Sequence, residues 1–165
     1  MTTTLSGSLG LSLGASYKDV GDRVTSKADL NTTYTDTLTN GTASGQCNRH
    51  YSARLTVPAA SNVEIDLASL TDVNGAALTF VKVKHLIVKA ITANANKVTV
   101  GGGASNPFTA PLGGTTPTFD VFPDDSIKLS NKLAGWTVDG THKTVKFASA
   151  GAQCFVDVDI FGTDA

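Results

Sequence analysis

The stretch from Ala77 to Phe108, ALTFVKVKHLIVKAITANANKVTVGGGASNPF, decides the fold class of this 165-residue chain. It reads as a long strand from Leu78 to Ile91, a polar turn at Asn94-Ala95-Asn96, and a second strand running back from Lys97 to Val100. Within the first strand the apolar face switches sides. Val81 and Val83 point one way; Leu86, Val88 and Ala90 point the other. A β-bulge near Lys84 and His85, or burial of both faces, produces such a switch. The lysines spaced among these aliphatic residues read as a solvated strand face. Gly101-Gly102-Gly103 follows a strand, but no helix opens after it, so an anion would find no helix N-terminus there. A bend or a close backbone approach accounts for the run.

Working outward, the same period-2 pattern recurs. Cys47, Arg49, Tyr51, Ala53, Leu55 and Val57 share one face of a strand that Pro58 ends. Val63, Ile65 and Leu67 alternate with polar neighbours, and Asn74-Gly75 marks a turn. The segment from Asn106 to Pro117, with its three prolines, is irregular. Short strands flank Pro123-Asp124-Asp125, and Trp136 to Val138 and Thr144 to Ala148 read as a hairpin across Asp139-Gly140. In the last strand Cys154, Val156, Val158 and Ile160 face inward, while Phe155, Asp157, Asp159 and Phe161 face out. Short strands at this spacing predict an all-β domain over residues 43–165, an antiparallel β-sandwich or jelly-roll-like barrel.

Residues 1–42 differ and predict an extended N-terminal arm. Leu5, Leu9, Leu11 and Leu13 fall at odd positions, which gives an extended segment one apolar face and makes these four the candidate interface residues. The following Thr-rich segment has apolar residues at helical spacing, but Gly21 and the β-branched threonines disfavour a helix. It is expected to lie on a surface, that of another subunit included.

Composition narrows the function classes. Hydrophobic residues are 41% of the chain, enough for a core, whereas charged residues are only 16% against the roughly 25% usual for a soluble domain. A surface so sparsely charged suits packing against neighbours. The net charge of −1 and the lack of a basic stripe point away from nucleic acid. No apolar run nears the ~20 residues of a membrane-crossing helix, so no membrane partner is expected. The opening MTTTLSGSLGLSLGAS has no basic segment ahead of its leucines, unlike a secretory signal. Cys47 and Cys154 read either as buried free thiols or as a disulfide, within the chain or between subunits. Within the chain the bond would close a loop of ~100 residues, worth on the order of 4–5 kcal/mol.

Candidate chemistry is thin. None of His50, His85 and His142 has a second ligand at metal spacing on its own element. His85 lies in an apolar strand and reads as a satisfied core or interface residue. Asp157 and Asp159 fit an exposed strand face, and Asp124-Asp125 an ordinary turn. No serine sits in a nucleophile elbow. No catalytic residue, metal or cofactor is expected. Trp136, Phe108, Phe119 and Phe122 are the aromatics that could stack on a sugar.

Several blocks resemble a family of small virion proteins of tailed bacteriophages. They are Ala28-Asp29-Leu30 through Leu38-Thr39-Asn40-Gly41-Thr42, DVNGAALTFVKV from Asp72 to Val83, VTVGGGASNPF from Val98 to Phe108, AGWTV from Ala134 to Val138, and Ile160-Phe161-Gly162-Thr163. The similarity spans about residues 28–163. GGGASNPF and AGWTV are its most specific parts, and neither is a catalytic signature. Pro123-Asp124-Asp125 stands where a Pro-Pro-Gly-Gly turn would be expected. The resemblance implies a non-enzymatic structural part of the particle. The preferred version is a capsid decoration or cement protein on the outer head shell, a homotrimer whose partners are itself and the major capsid protein or other virion proteins. A tail or neck component and a carbohydrate-binding host-adhesion sandwich are the alternatives.

Overall fold

The chain's structure is a computed structural model that describes residues 4–20 and 25–165. It is all-β, with thirteen strands and no helix among the described residues. In chain order these are β1 (Gly7–Val20), β2 (Thr25–Leu38), β3 (Arg49–Val57), β4 (Ser61–Asp66), β5 (Leu70–Thr71), β6 (Ala77–Leu78), β7 (Lys82–Ala90), β8 (Val98–Gly101), β9 (Thr118–Val121), β10 (Ser126–Ser130), β11 (Trp136–Thr137), β12 (Thr144–Ser149) and β13 (Cys154–Thr163).

Two antiparallel sheets form the body. The first has the order β10-β7-β13-β3, with β11 extending the β10 edge along β7. The second has the order β4-β12-β8-β9. Their inner faces carry the apolar residues that the alternation marks. Leu86, Val88, Val156, Val158 and Ile160 come from the first sheet; Ile65, Val98, Val100, Val145 and Phe147 from the second. Phe80 and Leu67, both at or near zero exposure, join the same core. A β5–β6 ribbon lies beside the body, turning at Gly75 with φ of 83° while the Asp72 carboxylate accepts from the Asn74 and Ala76 amides.

Two turns do not make the hairpins expected of them. The turn at 94–96 separates β7 and β8, which belong to different sheets. It is a corner, and Asn94 holds it: the side-chain amide donates to the Phe155 carbonyl at 2.7 Å and accepts from the Phe155 N–H at 2.8 Å. Likewise β11 pairs with β7 in the first sheet while β12 lies in the second, leaving only an isolated bridge between Asp139 and His142. Each sheet needs the other to bury its inner face, so the chain crosses between layers where a local reading pairs neighbours.

The phase switch in β7 is a bulge, and both faces are also buried there. Phe161 pairs with His85 and the next residue, Gly162, pairs with Val83, which leaves Lys84 as the extra residue. On the other edge β10 ends opposite His85 and β11 begins opposite Val83, with Asn131 N–H donating to the Lys84 carbonyl at 2.8 Å. Residues 83–86 are all buried. The Lys84 side chain is therefore not part of a solvated face; Lys89 is exposed as that reading requires. At the glycine run, β8 ends on Gly101 with φ of 98°, where a Cβ would meet the Pro117 carbonyl.

Two substitutions test this frame. Gly162→Ala places a Cβ against the Lys82 carbonyl at the bulge and is expected to cost ~1–3 kcal/mol or more in urea unfolding. Asn94→Ala strips two partners from the Phe155 backbone and is expected to cost ~2–3 kcal/mol by the same measurement.

Candidate functional site

The feature that stands apart from the body is the N-terminal ribbon. Strands β1 and β2 pair with each other over fourteen positions and form a sheet of their own. At ~3.3 Å per residue it is about 45 Å long. The register sorts its residues onto two faces. Leu9 with Asp36 and Leu11 with Tyr34 share one; Ser8 with Thr37, Gly10 with Thr35 and Ser12 with Thr33 share the other. Leu9 and Leu11 thus share one face, and the Thr-rich segment that follows is the second strand of the ribbon.

The base of that face is seated on the body. Leu38 is buried with Cys47 and Phe161, and Leu5, Leu9 and Ile87 pack around them. Asp36 adds an ion pair to Lys128 at 2.7 Å, with Lys132 at 3.8 Å. The Lys128 bond holds the Asp36 carboxyl below the ordinary carboxylate range. Further out, Leu11 and Tyr34 lie side by side at 64% and 65% exposure. Between ribbon and body runs a groove of about 800 Å³, lined by Leu9, Leu11, Tyr34, Ile87 and Lys128 among others. Of the four candidate leucines, Leu5 and Leu9 are half-buried in the seat and Leu11 is exposed; the Leu13 side chain lies outside the described residues.

Beneath the seat a row crosses the outer face of the first sheet: His50, Phe161, His85 and Ser130 on β3, β13, β7 and β10. The His50 ring stacks on Phe161 at 4.2 Å, and His85 meets Phe161 edge-on at 6.4 Å. Phe161 faces outward as the alternation predicts, yet it is buried, because the ribbon covers it. His85 is wholly buried. Its Nδ1 lies 2.8 Å from the Ser130 hydroxyl, and its Nε2 has no partner, so the residue is only half satisfied. Burial and then the Lys128 charge push the imidazole down to about 4 from 6.5. Lys84, next along β7, sends its ammonium to the Ala43 carbonyl at 2.7 Å, and burial lowers its pKa. The Cys47 thiol is raised by burial.

Past the ribbon the outer face carries paired charges. Arg54 grips Asp157 through two bonds of 2.7 and 2.8 Å, and His50 Nε2 lies 3.1 Å from Asp159. His142 turns back on Asp139, and Asp124 accepts from the Thr92 hydroxyl. Among the described residues no three His, Cys, Asp or Glu side chains converge as a metal site would require. The Cys47–Cys154 bond is not formed; both thiols are free and buried. Cys154 begins β13 opposite Val57, whereas Asn48, beside Cys47, bonds to Gly162 near its other end. Eight extended residues put these ends ~25 Å apart, several times what a disulfide spans. Cys47 also leaves the face it was expected to share with Tyr51 and joins the ribbon seat. Of the four aromatics suited to sugar stacking, Phe108 is buried, Phe119 and Trp136 pack against the core, and Phe122 alone is exposed.

No protein-family model and no curated protein sequence matches the chain. Among solved structures it is similar to the Yersinia pseudotuberculosis-derived mitogen, at 10% identity and a TM-score of 0.35, over 71% of this chain and 88% of that one.

The seat's buried lysine separates two costs. Lys84→Met keeps the aliphatic volume, removes a buried charge and leaves the Ala43 carbonyl without its donor, so the opposing effects are expected to leave stability within ~1 kcal/mol of the parent. Lys84→Ala adds a void and is expected to cost ~2–4 kcal/mol. Urea unfolding of the two variants side by side measures the difference.

Proposed function

We propose that this chain is a structural component of a phage particle, a decoration or cement protein that binds the outer head shell as a homo-oligomer, preferably a trimer. The observation that carries the reading is the ribbon: a long two-stranded arm whose apolar face begins in a seat on its own body and continues, at Leu11 and Tyr34, into solvent. An isolated two-stranded ribbon is marginal in water. Its exposed apolar pair and its two unpaired edges suit a neighbour that adds strands or covers the face. Repetition of modest contacts over a lattice then gives strong retention.

Three further points support it. The sequence blocks that resemble phage virion proteins lie along the sandwich and the ribbon. The low charge of the chain suits a surface meant to be covered. The two packed antiparallel sheets suit a jelly-roll-like sandwich, an architecture used in viral capsids.

Quantitative mass spectrometry of purified particles tests the role. A copy number that follows the shell lattice is expected; a ring-sized number moves the protein to the tail or neck, and absence from the particle ends the proposal. The double variant Leu11→Ser/Tyr34→Ser tests the ribbon. Both side chains are exposed, so unfolding stability should change by no more than ~0.5 kcal/mol per site while retention on particles is lost. Retention equal to that of the parent would remove the ribbon from the account.

A further inference from the structure

Among the described residues the ribbon and the body share no strand ladder. The ribbon is a separate two-stranded sheet, held at its base by one apolar face and by the Asp36 ion pairs. Under that base sits the least satisfied group in the described structure. His85 has no exposure, and whichever ring nitrogen carries the proton, Nε2 meets neither donor nor acceptor. A second proton would give the ring a charge and a further N–H with nowhere to bond.

We propose that the ribbon seat is an acid-operated latch, in which protonation of His85 lifts the ribbon from the first sheet while the sandwich stays folded.

The charges around the ring favour this direction. Lys128 on β10, Lys132 just beyond it and Lys84 on β7 all oppose a positive imidazole; among the described residues Asp36 on β2 alone attracts it. That carboxylate already serves Lys128 and Lys132. On the far side of the Phe161 ring stand His50 and its partner Asp159, and beside Lys84 lies the Cys47 thiol. A protonated His85 therefore joins three lysines around one carboxylate. Two events could relieve it: opening of the whole sandwich, or opening of the seat. The second exposes far less apolar surface and breaks no backbone ladder between ribbon and body, so it has the lower free energy.

The sign follows from linkage. The folded-state value of His85 lies below the value of a freely hydrated imidazole. The closed seat is therefore at full strength above pH 6.5, and it weakens as pH falls from 6.5 towards about 4. Asp36 is held below its ordinary range, so its ion pairs survive through most of that interval and fail only in stronger acid.

The two cysteines report on the two kinds of opening. Cys47 is buried in the seat and Cys154 in the sandwich core. A pyridyl disulfide, which reacts with thiols in acid, is applied to the intact chain, and each rate is divided by that of the urea-unfolded chain at the same pH. Between pH 7 and 4.5 the Cys47 rate is expected to rise at least tenfold while Cys154 stays protected, and in His85→Phe the Cys47 rate should stay flat. Should that variant not fold, a nuclear magnetic resonance titration of the His85 ring in the parent chain replaces it, and the Cys47 rate must climb in step with the His85 protonation curve. A Cys47 rate that does not change with pH overturns the latch. So do equal rises at both cysteines, which mean global unfolding, the same rise in His85→Phe, or a rise out of step with the ring titration.

Discussion

Burial of both faces of β7 at residues 83–86 is the constraint on which the rest of the molecule depends. A strand in a two-layer sandwich has one face for the core and one for solvent. Here the bulge at Lys84 turns successive side chains so that Val83, Lys84, His85 and Leu86 all leave solvent. The second sheet alone cannot cover them. The outer face of the first sheet must be roofed, and the base of the N-terminal ribbon roofs it, with Leu38 and Leu9 over Phe161 and Ile87. The bulge itself requires Gly162, because any Cβ there would meet the Lys82 carbonyl. Glycine, bulge, buried lysine and ribbon seat are thus one linked arrangement.

That arrangement explains why polar groups end up inside. Lys84 has the length to reach the Ala43 carbonyl in the loop between ribbon and body, so its buried ammonium keeps a partner. His85 finds Ser130 on one side only. The cost of the half-satisfied ring falls on the contact that covers it, which includes no strand ladder among the described residues. Further along the ribbon the exposed Leu11–Tyr34 pair continues the same apolar face that is buried at the base. The structure therefore presents one surface in two states, one end closed on the chain itself and the other end open.

The phage reading draws on the ribbon, the blocks of sequence, the low charge and the sandwich architecture. The likeness to the Yersinia mitogen is too slight to bear on function. Among the described residues, Asp157 and Asp159 on the outer face are held by Arg54 and His50, and of the four aromatics suited to sugar stacking only Phe122 is exposed.

The sequence by itself determined the strands and their inward faces. Alternation in β13 put Cys154, Val156, Val158 and Ile160 in the core, where they lie, and the switch of face in β7 announced the bulge. Alternation also placed Leu9 and Leu11 on one face. These features are local: side-chain direction has a period of two residues and is written in the order of the residues. What only the tertiary structure decided is which strand each one meets. The turns at 94–96 and 139–140 read as hairpins and are crossings between sheets. The arm's Thr-rich half became β2, Phe161 and Lys84 were buried by a segment far away in sequence, and the two cysteines were set at opposite ends of one strand. Each depends on the match of two surfaces that no single stretch contains. Burial of an outward-facing residue is a property of what packs over it, and the period of its own strand carries no record of that neighbour.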